Sequence, residues 1–200
     1  MLSILNSREA PVRASATFVD HTPDTAPPDS RRAIEATVRH LGFLPSAVAR
    51  LADSPQLLEG FQKLTALFDG TTLDPVAREV VVMTVVTRNE CHICVAMHSG
   101  RLRKLGAEGE LIAALSERRA VADQQLEAVR QFTLAVLDTA GAVDDATLDA
   151  FLAHGYTTRN ALEVVLGIGT YTLSTLANRL TRAPLDPQLD PQLDPQLASS

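Results

Sequence analysis

Polar capping residues and apolar stretches succeed one another along this chain with the punctuation of helices. Ser30 precedes an amphipathic stretch that runs to His40 and ends at Gly42. Ser54-Pro55 is a capping residue followed by proline at the first helical position, and it opens a stretch to Asp69 that Gly70 closes. Asp74-Pro75 repeats the signal for the next segment. Asn89 is placed to cap a helix that runs to Leu105 and stops at Gly106. Later segments start near Glu108, Asp123, Asp144 and Thr157; Gly141 and Gly155 mark ends, and the last helix reaches about Leu180 before Pro184. No stretch alternates with period two between Asn-Gly or Asp-Gly turns. The pattern predicts an all-α fold, a single helical domain over residues 30–183.

The valine-rich segment 80–86 competes with this reading, because valine favours strands. A strand feeding a C-x-x-C helix would be the thioredoxin arrangement. The helix start at Asp74-Pro75 lies just upstream, however, and no further strands are available to build a sheet. A buried, all-apolar helix is the better prediction. Outside the domain, residues 1–29 carry Pro11, Pro23, Pro27 and Pro28 without apolar periodicity and read as a flexible tail. Asp-Pro-Gln-Leu recurs at 186–189, 190–193 and 194–197, so 184–200 reads as an extended repeat tail in which proline forbids helix.

Composition narrows the function. The chain has 200 residues, enough for one sizeable core, with 46% apolar and 21% charged residues. A net charge of −6 and a pI near 5.3 leave no basic stripe for phosphates, which excludes nucleic acid as the main partner. The longest apolar run is far shorter than the roughly 20 residues that span a bilayer. Met1–Leu5 is too short for a signal region, so a reducing cytoplasmic compartment is expected. In that compartment a close thiol pair is transient and catalytic more often than structural.

The two cysteines of the chain stand at Cys91 and Cys94, with His98 four residues further. On a helix His98 shares a face with Cys94, one turn away. If 75–88 and 91–105 form an antiparallel hairpin turning at Arg88-Asn89, Glu79 falls opposite His98. A continuous helix would instead hold Glu79 roughly 18 Å from Cys91. The hairpin therefore predicts a connected set. Glu79 orients or polarises His98, and His98 takes the Cys94 thiol proton directly or through water. The helix N-terminus favours the thiolate, and Cys91 resolves an oxidised Cys94 as a disulfide. Taken singly, Glu79 reads as a solvated helix residue, His98 as a partly buried histidine, and Val95 and Met97 as core. His92 reads as exposed, though a cation there would lower a thiol pKa. Three zinc ligands are conceivable in Cys91, Cys94 and His98, but a closed site needs a fourth and no second ligand pair exists. No metal or cofactor is expected.

These residues resemble the carboxymuconolactone decarboxylase superfamily, on its alkyl hydroperoxidase D-like branch. The likeness rests on Glu79, then eleven residues, then Cys91-x-x-Cys94-x-x-x-His98. Flanking segments also resemble it: Gly42-Phe43-Leu44-Pro45, Leu73-Asp74-Pro75-x-x-Arg78-Glu79, and Tyr171 with Asn178-Arg179. The resemblance covers about residues 30–183. It implies an all-helical fold with a cysteine-bearing hairpin, assembly as a homo-oligomer (trimer or hexamer), and reduction of a hydroperoxide with electrons from a thiol or dithiol. Cys94 would be the peroxidatic cysteine, Cys91 the resolving and more accessible one, and Glu79 with His98 the proton relay. One position departs from the peroxidase members, which carry a histidine directly before the second cysteine; here that residue is Ile93. His92 sits one position early, a rotation of about 100° on a helix, and cannot substitute. Two other functions remain open, a decarboxylase using acid–base chemistry on a lactone acid and a non-enzymatic thiol redox sensor.

Overall fold

Helices build on the predicted signals wherever those signals are local. The structure, a computed structural model, describes residues 17–189, and among these there is no strand. The order is α1 (Pro28–Leu41), α2 (Ser46–Leu51), α3 (Pro55–Asp69), α4 (Pro75–Arg88) and α5 (His92–Lys104). It continues with α6 (Gly109–Ser116), α7 (Gln124–Asp138), α8 (Asp145–Ala153) and α9 (Thr158–Thr181), then a 3-10 turn at Pro187–Leu189. Ser54, Asp74, Asp123, Asp144 and Thr157 each accept a backbone N–H from the first turn of the helix they precede.

The valine-rich helix α4 is the hub, packed against α5, α6, α7 and α9. Val80, Val81, Val82, Met83, Val85 and Val86 are all free of solvent contact. Burying each such side chain contributes about 1.5–3 kcal/mol, which outweighs a helix-propensity cost below about 0.7 kcal/mol per residue. The two polar side chains in this stretch return their hydrogens to the helix: Thr84 donates to the Val80 carbonyl at 2.7 Å and Thr87 to that of Met83 at 2.6 Å. Helix α9 approaches α3 and α4 closely at Gly167. A Cβ there would lie 2.7 Å from the Phe68 ring and 3.0 Å from Val81 Cγ1, so no side chain fits. Phe61 and Phe68 each meet Tyr171 edge-on at this layer, which leads into the functional site.

Away from the cysteine-bearing turn, the helix starts and the tail limits differ from expectation in four places. Helix α1 begins at Pro28, and the Ser30 hydroxyl donates instead to the Ala52 carbonyl at 2.8 Å. Residues 17–27, expected as tail, dock on the α2–α3 region. Ala26 is buried with Ile34, Leu51 and Leu58, Asp20 pairs with Arg50 at 2.6 Å and His21 with Asp53 at 2.7 Å. Polar pairs hold this segment, and polar pairs leave no apolar period in the sequence. Helix α2 is absent from the predicted pattern, since six residues are too few to show a period. Its N-cap position is Pro45, and the cap comes from the far end of the chain: Asp186 accepts the Ser46 N–H at 3.0 Å and its hydroxyl at 2.7 Å. The first Asp-Pro-Gln-Leu unit therefore belongs to the folded body, and its proline starts a 3-10 turn. The expected tail segments 1–16 and 190–200 lie outside the described residues.

Candidate active site

The α4–α5 turn sets the geometry. Glu90 donates its N–H to the Thr87 carbonyl at 3.1 Å and Cys91 to that of Val86 at 3.0 Å, a Schellman-type close with Glu90 at φ 53°. That conformation favours glycine, so the turn is held from outside. Arg179 on α9 donates to the Asn89 and Glu90 carbonyls at 2.7 and 2.9 Å, and the Asn89 amide donates to Thr175 Oγ1 at 2.8 Å. Asn89 is therefore the C-cap of α4 and does not cap α5. The N-cap of α5 is Cys91, which makes no side-chain capping bond. Cys94 sits in the first turn of α5, where the positive end of the helix dipole favours a thiolate.

Cys91 and Cys94 are joined as a disulfide with their Cα atoms 5.3 Å apart. Their exposures are 3% and 4%, so in this state Cys91 is not the more accessible of the two. The hairpin brings Glu79 and His98 together as its register predicts, with His98 Nδ1 2.7 Å from Glu79 Oε2. The ring then donates through Nδ1 and leaves Nε2 free to exchange a proton. The second carboxylate oxygen, Oε1, lies 3.1 Å from Arg101 Nε, and Arg101 reaches Asp69 with its Nη2 at 2.6 Å. Burying the Glu79 carboxylate at 2% exposure requires such pairing. For Arg101, burial works against its charge, but Glu79 and then Asp69 prevail and raise its pKa. The rings of Tyr171 and His98 meet in a T-shaped contact, with centroids 5.0 Å apart. Burial, and after it the charge of Glu79, pushes the Tyr171 phenol above its ordinary pKa, so it stays protonated.

Two further residues complete the surroundings. Asn178, on α9, donates its amide Nδ2 hydrogen to Cys94 Sγ at 3.4 Å. Ile93 is buried, whereas His92 is exposed and lines an outer depression of about 700 Å³ with Glu90, Arg118 and Arg179. Glu79 and His98 take no part in that depression, so His92 is separate from the relay. Among the described residues no group of three or more His, Cys, Asp or Glu is set to hold a metal ion. Sequence reasoning did not single out Arg101 and Asp69. Arg101 lies three residues beyond His98 on the same helix face, and that spacing placed it within reach of Glu79.

All four predicted residues fall inside a segment that known families identify. Residues 54–138 match the carboxymuconolactone decarboxylase family. The match covers less than half of the chain. Tyr171 and Asn178, which close the site from α9, lie outside the match. No protein of curated function matches the sequence. Among solved structures, the fold is similar to an alkylhydroperoxidase AhpD core, an uncharacterized peroxidase-related protein from Ralstonia eutropha JMP134. The identity is 22% and the TM-score 0.76, with 86% of this chain and 93% of that one covered. It is also similar to an uncharacterized peroxidase-related protein from Silicibacter sp. TM1040, at 18% identity and TM-score 0.74, covering 88% and 94%. The debrominase Bmp8, crystallised as a variant in complex with 2,3,4-tribromopyrrole, shares the fold at 16% identity and TM-score 0.63, covering 80% and 86%. At these identities the likeness establishes an all-helical AhpD-type fold in a single domain. No helix among the described residues is long and apolar enough to cross a membrane.

Proposed function

We propose that this protein reduces hydroperoxides through a Cys91–Cys94 dithiol–disulfide cycle, with Glu79 and His98 as proton relay. The observation that carries the reading is the buried 2.7 Å Glu79–His98 pair one helical turn from a joined Cys91–Cys94. In the reduced protein His98 Nε2 takes the Cys94 thiol proton, directly or through water, and the resulting thiolate attacks the terminal oxygen of the hydroperoxide. The S–O bond forms as the O–O bond breaks, sulfur gives up two electrons, and the departing alkoxide takes a proton from His98. Cys91 then attacks the Cys94 sulfenic acid, the disulfide forms and water leaves; an external dithiol restores both thiols. The carboxylate of Glu79 holds the tautomer and orientation of the His98 ring, while Arg101 and Asp69 hold Glu79. Coupled turnover of cumene hydroperoxide with glutathione, a thioredoxin or dihydrolipoamide is the test. Turnover with at least one donor is expected. Oxidation of the thiols without turnover would indicate a sensor, and acid–base activity surviving removal of both cysteines would indicate a decarboxylase.

The same reading includes a closed homo-oligomer, and α9 supports it. Leu162, Val165, Leu176 and Leu180 are 73%, 47%, 58% and 70% exposed along one helix. Between Arg159 and Arg179 the only charged residue is the buried Glu163. An uncharged apolar stripe of that length on a surface helix marks an interface. Light scattering should give a mass of several chains, unchanged on deleting 190–200 and reduced by Leu176→Glu with Leu180→Glu. A monomeric parent protein would refute the assembly.

A further inference from the structure

Asn178 is buried beside the redox pair with half of its hydrogen-bonding capacity unused. Its exposure is 7%; Nδ2 donates to Cys94 Sγ at 3.4 Å, and Oδ1 is buried with no hydrogen-bond partner among the described residues. A buried acceptor left alone is costly, and such groups in a site call for an explanation. The amide is also firmly placed. It follows Thr175 by one turn of α9 and precedes Arg179, which bind the Asn89 side chain and the Asn89 and Glu90 carbonyls of the cysteine-bearing turn. The amide donor meets the sulfur of Cys94, and the acceptor of the same planar group lies unpaired beside that donor. That arrangement matches a group with an electron-rich sulfur and an O–H next to it.

We propose that Asn178 is the oxygen-binding residue of this site, gripping the terminal O–H of a hydroperoxide through Oδ1 while Nδ2 stabilises the attacking thiolate. The inference rests on the peroxide-reducing reading above. Before attack, the terminal O–H of R–O–O–H donates to Oδ1 and sets that oxygen against Cys94. When the S–O bond forms and the O–O bond breaks, the hydrogen stays on the same oxygen. The resulting S–O–H keeps its bond to Oδ1, so the acceptor is satisfied from encounter to sulfenic acid without moving a proton. His98 supplies the proton for the alkoxide, a separate event. Once the disulfide forms, the site holds neither an S–H nor an S–O–H, and Oδ1 is left alone as observed. The ligand class follows: hydrogen peroxide and alkyl hydroperoxides, which carry a terminal O–H, and not dialkyl peroxides, which lack one.

The test uses the full chain with Cys91→Ser, in which oxidation stops at the Cys94 sulfenic acid. Its formation from cumene hydroperoxide is followed by dimedone trapping and intact mass, and thiolate reactivity by iodoacetamide alkylation between pH 5 and 9. Adding Asn178→Ala should lower the peroxide rate about tenfold relative to the alkylation rate at the same pH, the loss of one hydrogen bond made by the oxygen. It should also raise the pH midpoint of alkylation, because the thiolate loses a donor. Asn178→Asp, which keeps the shape but lacks the N–H and adds negative charge, should raise that midpoint further. A peroxide-to-alkylation ratio unchanged in Asn178→Ala overturns the proposal and leaves Asn178 a structural residue. Absence of sulfenic acid in the Cys91→Ser parent, with Cys94 still alkylated, instead removes the peroxide-reducing reading and this inference with it.

Discussion

Cys94→Ser is expected to abolish hydroperoxide turnover, by about 10³-fold or more, because a hydroxyl oxygen cannot give up the two electrons that sulfur supplies on going to the sulfenic acid. Cys91→Ser should behave differently. The first oxidation needs only Cys94, so one equivalent of peroxide should still be consumed, after which the cycle stops for lack of a resolving thiol. Quenched-flow counting of peroxide consumed per chain separates the two. One equivalent is expected for Cys91→Ser and none for Cys94→Ser; the reverse pattern would exchange the roles of the cysteines. Nearly equal burial of the two cysteines in the disulfide makes this a real test, since accessibility does not distinguish them.

Glu79→Gln and His98→Ala are each expected to lower kcat/KM by about 10²-fold, the usual scale for a positioned acid–base group. The 2.7 Å contact makes them one unit, so the double variant should be little worse than the worse single. Rates that multiply would show that the pair does not act together. Glu79→Gln leaves Arg101 with Asp69 as its remaining partner at 2.6 Å, so a drop in unfolding midpoint is expected as well. Arg101→Lys reports on that second effect, because a lysine cannot present the same fork to both carboxylates.

Much of the site's geometry is legible in the sequence. The hairpin register that set Glu79 against His98 follows from the two helix lengths and the turn, quantities that capping residues and prolines reveal locally. The helical fate of the 80–86 valines was legible too, since the preceding Asp74-Pro75 and the lack of partner strands decided against a sheet. The cysteine spacing was sufficient to expect a disulfide. A local reading failed where a residue had two plausible partners. Asn89 could cap the helix after it or the helix before it, and the left-handed turn at Glu90, stabilised by Arg179 from α9, settled it for α4.

Local signals act over three or four residues, so the sequence by itself determined which of the longer segments are helices, where most of them start, and that Glu79 falls opposite His98, one helical turn beyond Cys94. Only tertiary structure decided the contacts made across the chain. Asp186 caps a helix 140 residues earlier, Asp69 steadies Arg101 from another helix, residues 17–27 dock through ion pairs, and Asn178 reaches Cys94 from 84 residues away. Such pairs carry no periodicity. They exist because packing the buried faces of α3, α4, α5 and α9 leaves particular polar groups adjacent, and each buried polar group then takes whichever partner the packing brings within reach.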